Sequence, residues 1–143
     1  MEKLTPVGRE AIIIILRQFE HKVGVDTADW YKVHDNLIVL AAFTVKFAKE
    51  NYLPLKFTSI IRPKIKGVSK TDIHSKGRAF DISVIGWKKE KILEFVDLIN
   101  KEFKLGAISI TDGKEREGVF EDAEFDKDGK QTKWPHLHVQ CRP

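Results

Sequence analysis

The sequence predicts an α+β fold: a small, largely antiparallel sheet with N-terminal helices packed on one face. Helical periodicity dominates the first third of the chain, and short β-branched or aromatic runs dominate the remainder. A further helical stretch lies between strands instead of one helix following every strand. The 143 residues, 42% of them hydrophobic, suit one domain spanning 1–143 with a buried core. No internal repeat, low-complexity tract or linker divides it.

Each element has a local reason. Thr5-Pro6 reads as an N-cap followed by proline at the first helical position, and Ile12, Ile13, Leu16 and Phe19 then recur at helical spacing, predicting a helix from Pro6 to His21. After a loop over Val23–Ala28, the segment Asp35–Asn51 places Leu37, Leu40, Ala41, Thr44, Val45 and Phe47 mostly on one side of a second helix. Pro54 ends it, and Leu55–Ile61 is expected as a strand that delivers Arg62. Lys64–Ser75 is a polar, lysine-rich loop, and strand character returns over Arg78–Ile85. Trp87–Phe103 is the third helix, striped by Ile92, Phe95, Val96, Leu98 and Ile99. A short strand is expected at Leu105–Ile110, then a long charged segment over Thr111–Lys133 with a turn at Asp126-Lys-Asp-Gly129. The last strand is Pro135–Cys141.

Composition removes several function classes. The formal net charge is only +4 and charged residues of both signs make up 32% of the chain, a weak attraction to anionic surfaces. No zinc-finger spacing, RNA-recognition aromatics or basic helix supports a nucleic-acid partner. The longest apolar run, Ala11–Leu16, is far below the ~20 residues that cross a bilayer, and no secretory leader is evident. A monomer without membrane insertion, made in the cytoplasm, is expected. Cys141 is the only cysteine, so an internal disulfide and a cysteine-rich structural zinc site are both excluded.

The chemistry concentrates in two places. His74-Ser-Lys-Gly-Arg-Ala-Phe-Asp81 puts an imidazole and a carboxylate at the ends of a glycine-containing turn, and His136-Leu-His138 adds two imidazoles near the C-terminus. Two histidines and a carboxylate make a three-ligand zinc site with room for water, which points to a hydrolase. On an extended strand Asp81 faces away from Phe80 and Ile82, and His136, His138 and Gln140 share the face opposite Leu137 and Val139. If the two strands are neighbours, Asp81 and one histidine can meet a single metal. His136 and His138 lie roughly 6.5–7 Å apart along a strand, so one is expected to bind and the other to work on water or substrate. Strand parity does not separate them. Arg62 is suited to clamp a substrate carboxylate or stabilise an oxyanion.

His74-x-x-Gly77-Arg78-Ala79-x-Asp81 resembles the Ser-x-His-x-x-Gly-x-Ala-x-Asp signature of the D-alanyl-D-alanine carboxypeptidase and L-alanyl-D-glutamate endopeptidase group of zinc peptidases, which includes many phage endolysins. Thr58-Ser-Ile-Ile-Arg62 is similar to the family's Ser-Gly-Tyr-Arg segment, and Pro135-His-Leu-His-Val139 to its closing His-x-His strand. The resemblance implies a Hedgehog/D-Ala-D-Ala peptidase-like fold and Zn2+ held by His74, Asp81 and His138. It further implies His136 as a catalytic group, Arg62 as catalytic and substrate-binding, Ser59 as substrate-binding, and a peptidoglycan peptide as substrate. Action at the bacterial wall after release, or as a phage component, follows from it.

The chain departs from that pattern at Asp72, at Ile60-Ile61, and at Lys133 and Pro135, which stand three positions before the final histidines where several members carry an acid. The general base then falls to His136, with Glu121, Glu124 or Asp126 as substitutes. On a template with a single final histidine, His136 is instead the ligand. A catalytically silent zinc-binding module of the Hedgehog type is the alternative that the missing acid motivates. An iron(II) oxygenase triad would require His-x-Asp, whereas six residues separate His74 from Asp81 here. His21 and His34 have no motif around them and are expected to be structural.

Overall fold

The computed structural model describes residues 4–61, 77–104, 107 and 114–142. Helix α1 (Pro6–Arg17) begins as expected: Pro6 occupies the first position and Thr5 Oγ1 accepts the Gly8 N–H at 3.0 Å. It stops short of His21. The N–H groups of Gln18 and Phe19 turn back to the carbonyls of Ile15 and Leu16, and Glu20–His21 leaves as strand β1, paired in parallel with Lys56 and Phe57. That distant pairing claims residues that the local periodicity assigns to the helix.

A 3-10 turn (Thr27–Lys32) carries fully buried Trp30 and leads into α2 (Asp35–Glu50). Arg9 ties this junction to α1, donating to Asp35 Oδ1 and to the Val33 carbonyl, both at 2.7 Å. Helix α2 buries Leu37, Ile38, Leu40, Ala41, Thr44, Val45, Phe47 and Ala48. Strands β2 (Lys56–Ser59) and β3 (Ala79–Ser83) follow, then α3 (Lys89–Glu102), whose buried stripe is Ile92, Phe95 and Ile99. All three helices and these strands lie where the sequence places them, shortened at their ends.

The segment Thr111–Lys133, expected as a charged connection, contains among its described residues three strands: β4 (Gly118–Glu121), β5 (Glu124–Phe125) and β6 (Gln131–Lys133). Its turn is as expected, with Asp126 Oδ1 accepting the N–H groups of Asp128 and Lys130 and Gly129 at φ +80°. Strand β4 escapes a local reading because its anchors are remote. The Asn100 side-chain amide takes both the N–H and the carbonyl of Gly118 at 2.8 Å. A Cβ at Gly118 would stand 2.5 Å from Ile99 Cγ2, so only glycine lets α3 approach β4 this closely. The strand expected at Leu105–Ile110 lies outside the described residues, Ala107 excepted.

Strand β7 (His136–Gln140) enters between β3 and β4, giving among the described residues a five-stranded sheet in the order β1-β2-β3-β7-β4, with β5 and β6 forming a separate ribbon. Among the described strands of this sheet only the β1–β2 pair is parallel, so the class is α+β with a mostly antiparallel sheet. Phe57, Phe80, Ile82, Leu137 and Val139 are fully buried on one face, where Trp30 stacks edge-on against Phe57 and Phe80. Each such side chain contributes roughly 1.5–3 kcal/mol of burial. Among the described residues no helix is long and apolar enough to cross a membrane.

Candidate metal centre

Strand register decides which polar side chains meet. Asp81 is the direct cross-strand partner of His138, Ser83 of His136, and Ala79 of Gln140 on the β3–β7 ladder. On the other side, β7 sets His138 against Val119 and His136 against Glu121. Ser59 pairs with Asp81 from β2. Side chains directly opposite one another share a face, so Ser59, Asp81, His136, His138, Gln140 and Glu121 form a grid on the side opposite Phe80 and Leu137. The alternation read from the sequence holds on both strands.

The contacts within the grid are short. Asp81 Oδ1 lies 2.9 Å from His138 Nδ1, and Asp81 Oδ2 lies 4.0 Å from His136 Nε2. His138 Nε2 faces Gln140 Oε1 at 3.0 Å. His136 Nε2 is 2.8 Å from Glu121 Oε2, while its Nδ1 donates to the Trp134 carbonyl at 3.0 Å. Asp81 and His138 are nearly buried, with side chains 11% and 13% exposed, whereas Glu121 at 44% reaches solvent. The grid thus has a dry end and a wet end.

These contacts set the charges. The hydrogen bond to Glu121 raises the His136 pKa to about 9 against the opposing effect of burial, with the Trp134 carbonyl and the Asp81 charge adding to the rise. His136 is therefore an imidazolium at neutral pH in the metal-free protein, and its hydrogen bond holds the Glu121 carboxyl below the usual range. For His138, burial opposes the charged form, and the hydrogen bond and charge of Asp81, helped by Gln140, outweigh it, so the pKa is raised.

Gly77, the glycine of the first motif, is held in the left-handed region at φ +67°. A Cβ there would stand 3.0 Å from the Lys32 carbonyl oxygen and 3.2 Å from Val33 Cα, and the Gly77 carbonyl accepts the His34 N–H at 3.1 Å. The motif needs glycine both for its backbone angle and for close approach to the start of α2. His74 and Arg62 lie outside the described residues.

The donor set suits zinc. A tetrahedral ion with bonds of ~2.0–2.2 Å holds neighbouring ligand atoms about 3.3–3.6 Å apart, a few tenths of an ångström wider than the present Asp81–His138 contact. Among the described residues no three His, Cys, Asp or Glu side chains form a metal-holding group; the remaining expected ligand is His74.

Other sequence expectations sort cleanly. Of the three substitute bases, Glu121 alone joins the grid: Glu124 pairs with Lys133 on the ribbon at 3.6 Å, and Asp126 closes its turn. His21 is structural, accepting the Trp30 indole N–H at 3.0 Å and donating from Nδ1 to the Phe19 carbonyl at 2.8 Å. His34 is the exposed N-cap position of α2, with no capping bond from its ring. Trp134, beside the grid, is 75% exposed. The Gln140 contact escaped the sequence reading, although its parity with His138 was a signal for it. No protein-family model, curated protein or solved structure matches the chain.

Proposed function

We propose that this protein is a zinc-dependent peptidase that hydrolyses an amide bond in the peptide stem or cross-link of bacterial peptidoglycan, on a Hedgehog/D-Ala-D-Ala peptidase-like fold. The observation that carries the reading is the opposition of Asp81 and His138 across β3 and β7, with oxygen and nitrogen 2.9 Å apart. The substrate class comes from the sequence resemblance of His74–Asp81, Thr58–Arg62 and Pro135–Val139.

His74, Asp81 and His138 would hold the ion, which when bound supplies Lewis acidity to the scissile carbonyl and to water. Glu121 and His136 form the proton-handling pair. The ionised, solvent-reaching Glu121 would take a proton from the attacking water and pass it to the leaving amine as the C–N bond breaks, and the His136 imidazolium would present positive charge to the oxyanion that develops in between. Glu121 thereby replaces the acid that Lys133 and Pro135 do not supply. Arg62 and Ser59 bind the substrate, with Arg62 pairing with its carboxylate.

The test is release of new amine termini from purified peptidoglycan by protein of known zinc content. Release that stops with a chelator and returns with zinc supports a peptidase, and mass analysis of the products names the bond. Stoichiometric zinc without release favours the silent zinc-binding module.

A further inference from the structure

Gln140 is 3% exposed, and its side chain bridges two groups. Its amide nitrogen donates to the Arg116 carbonyl at 2.8 Å, which fixes which end of the amide is oxygen. That oxygen faces His138 Nε2 at 3.0 Å. The Arg116 backbone is itself held, its N–H donating to the Ala107 carbonyl at 2.9 Å. An amide oxygen only accepts, so it requires a proton on His138 Nε2. The other ring nitrogen, Nδ1, faces Asp81 Oδ1 and donates to that carboxylate in the metal-free protein, a proton that an ion bound at Nδ1 would displace while the Nε2 proton stays on Gln140.

We infer that Gln140 is a positioning residue that keeps the His138 proton on Nε2 and so presents Nδ1, beside Asp81, as the metal-binding atom. The inference rests on the zinc reading above. Its physical basis is the pairing of a ligand imidazole with a hydrogen-bond acceptor on its far nitrogen, which fixes the tautomer and the ring plane together. The acceptor here is a neutral amide, oriented by the backbone carbonyl of Arg116, two residues before β4. Ala79, the cross-strand partner of Gln140, is fully buried and leaves the long side chain its room.

The experiment uses the full chain with 15N-labelled histidine, in zinc-free and zinc-loaded forms, alongside zinc affinity from competition with a chromophoric chelator. In the loaded protein His138 is expected to carry metal on Nδ1 and a proton on Nε2. Gln140→Leu is expected to lower zinc affinity about 10–100-fold, and Gln140→Glu, which keeps an acceptor at similar reach, to restore most of that loss. Metal on Nε2 in the wild type overturns the proposal without need of any variant, as does unchanged affinity in Gln140→Leu. A wild type that takes up no zinc sinks the zinc reading instead. In that case the zinc-free arm still decides the role of Gln140: slow solvent exchange of the His138 Nε2 proton, accelerated in Gln140→Leu, supports it, and equal exchange in both contradicts it.

Discussion

Glu121 Oε2 lies 2.8 Å from His136 Nε2 across the β4–β7 ladder, so a carboxylate from a strand hidden in a charged segment meets the first histidine of the closing strand. Because the hydrogen bond that His136 donates to Glu121 is the main reason that the His136 pKa rises to about 9, removing the carboxylate should be felt in both titration and turnover. In zinc-free Glu121→Gln, histidine NMR should show His136 titrating well below the wild-type value. In the zinc-loaded variant the proposed hydrolysis should fall about 10²–10⁴-fold with zinc content unchanged. Full turnover in Glu121→Gln would remove Glu121 from the chemistry.

Gly77→Ala should destabilise the fold by about 1–3 kcal/mol, since it forces a side chain into the left-handed region and sets a Cβ 3.0 Å from the Lys32 carbonyl oxygen. Urea denaturation would show this as a lower midpoint with an unchanged slope. An unchanged midpoint would mean that the turn relaxes freely at this position.

His21 sets a pH dependence of the opposite kind to that of His136. Burial lowers its pKa from 6.5, against a smaller opposing effect of the Phe19 carbonyl, and its Nε2 must stay unprotonated to accept from Trp30. The unfolded chain therefore binds the proton more readily, and the stability held above pH ~6.5 is lost as the pH falls toward the folded value. His136, with its pKa raised, contributes stability that is full below 6.5 and lost as the pH rises through about 9. Denaturation at pH 7.5 and 5.5 should show wild type losing more stability on acidification than His21→Phe; equal losses would contradict the neutral assignment.

How much of this was legible in the sequence depends on the range of the interaction that decides each element. Asp81, His136 and His138 could be placed on one face from alternation alone, because Phe80, Ile82, Leu137 and Val139 mark the opposite face unambiguously. Which histidine meets Asp81 could not, since a shift of two residues preserves parity; the Asp81–His138 pairing is a matter of register. Phe19 continues the apolar period of helix α1 and so predicts helix through to His21, while the pairing of Glu20 and His21 with Lys56 and Phe57 is invisible locally. Strand β4 is illegible in the sequence for a related reason. Four residues flanked by Glu117 and Asp122 look like a charged loop until Asn100 and Ile99 of α3 are seen to anchor Gly118.

The most direct test of the central claim is the zinc content of the wild type and of Asp81→Ala, His136→Ala and His138→Ala after chelation and reloading, with folding of each variant checked by circular dichroism. One zinc per chain is predicted for the wild type and for His136→Ala, with loss in Asp81→Ala and His138→Ala. Zinc retained by His138→Ala but lost by His136→Ala would contradict the assignment, and a wild type that binds none would contradict the metal centre itself.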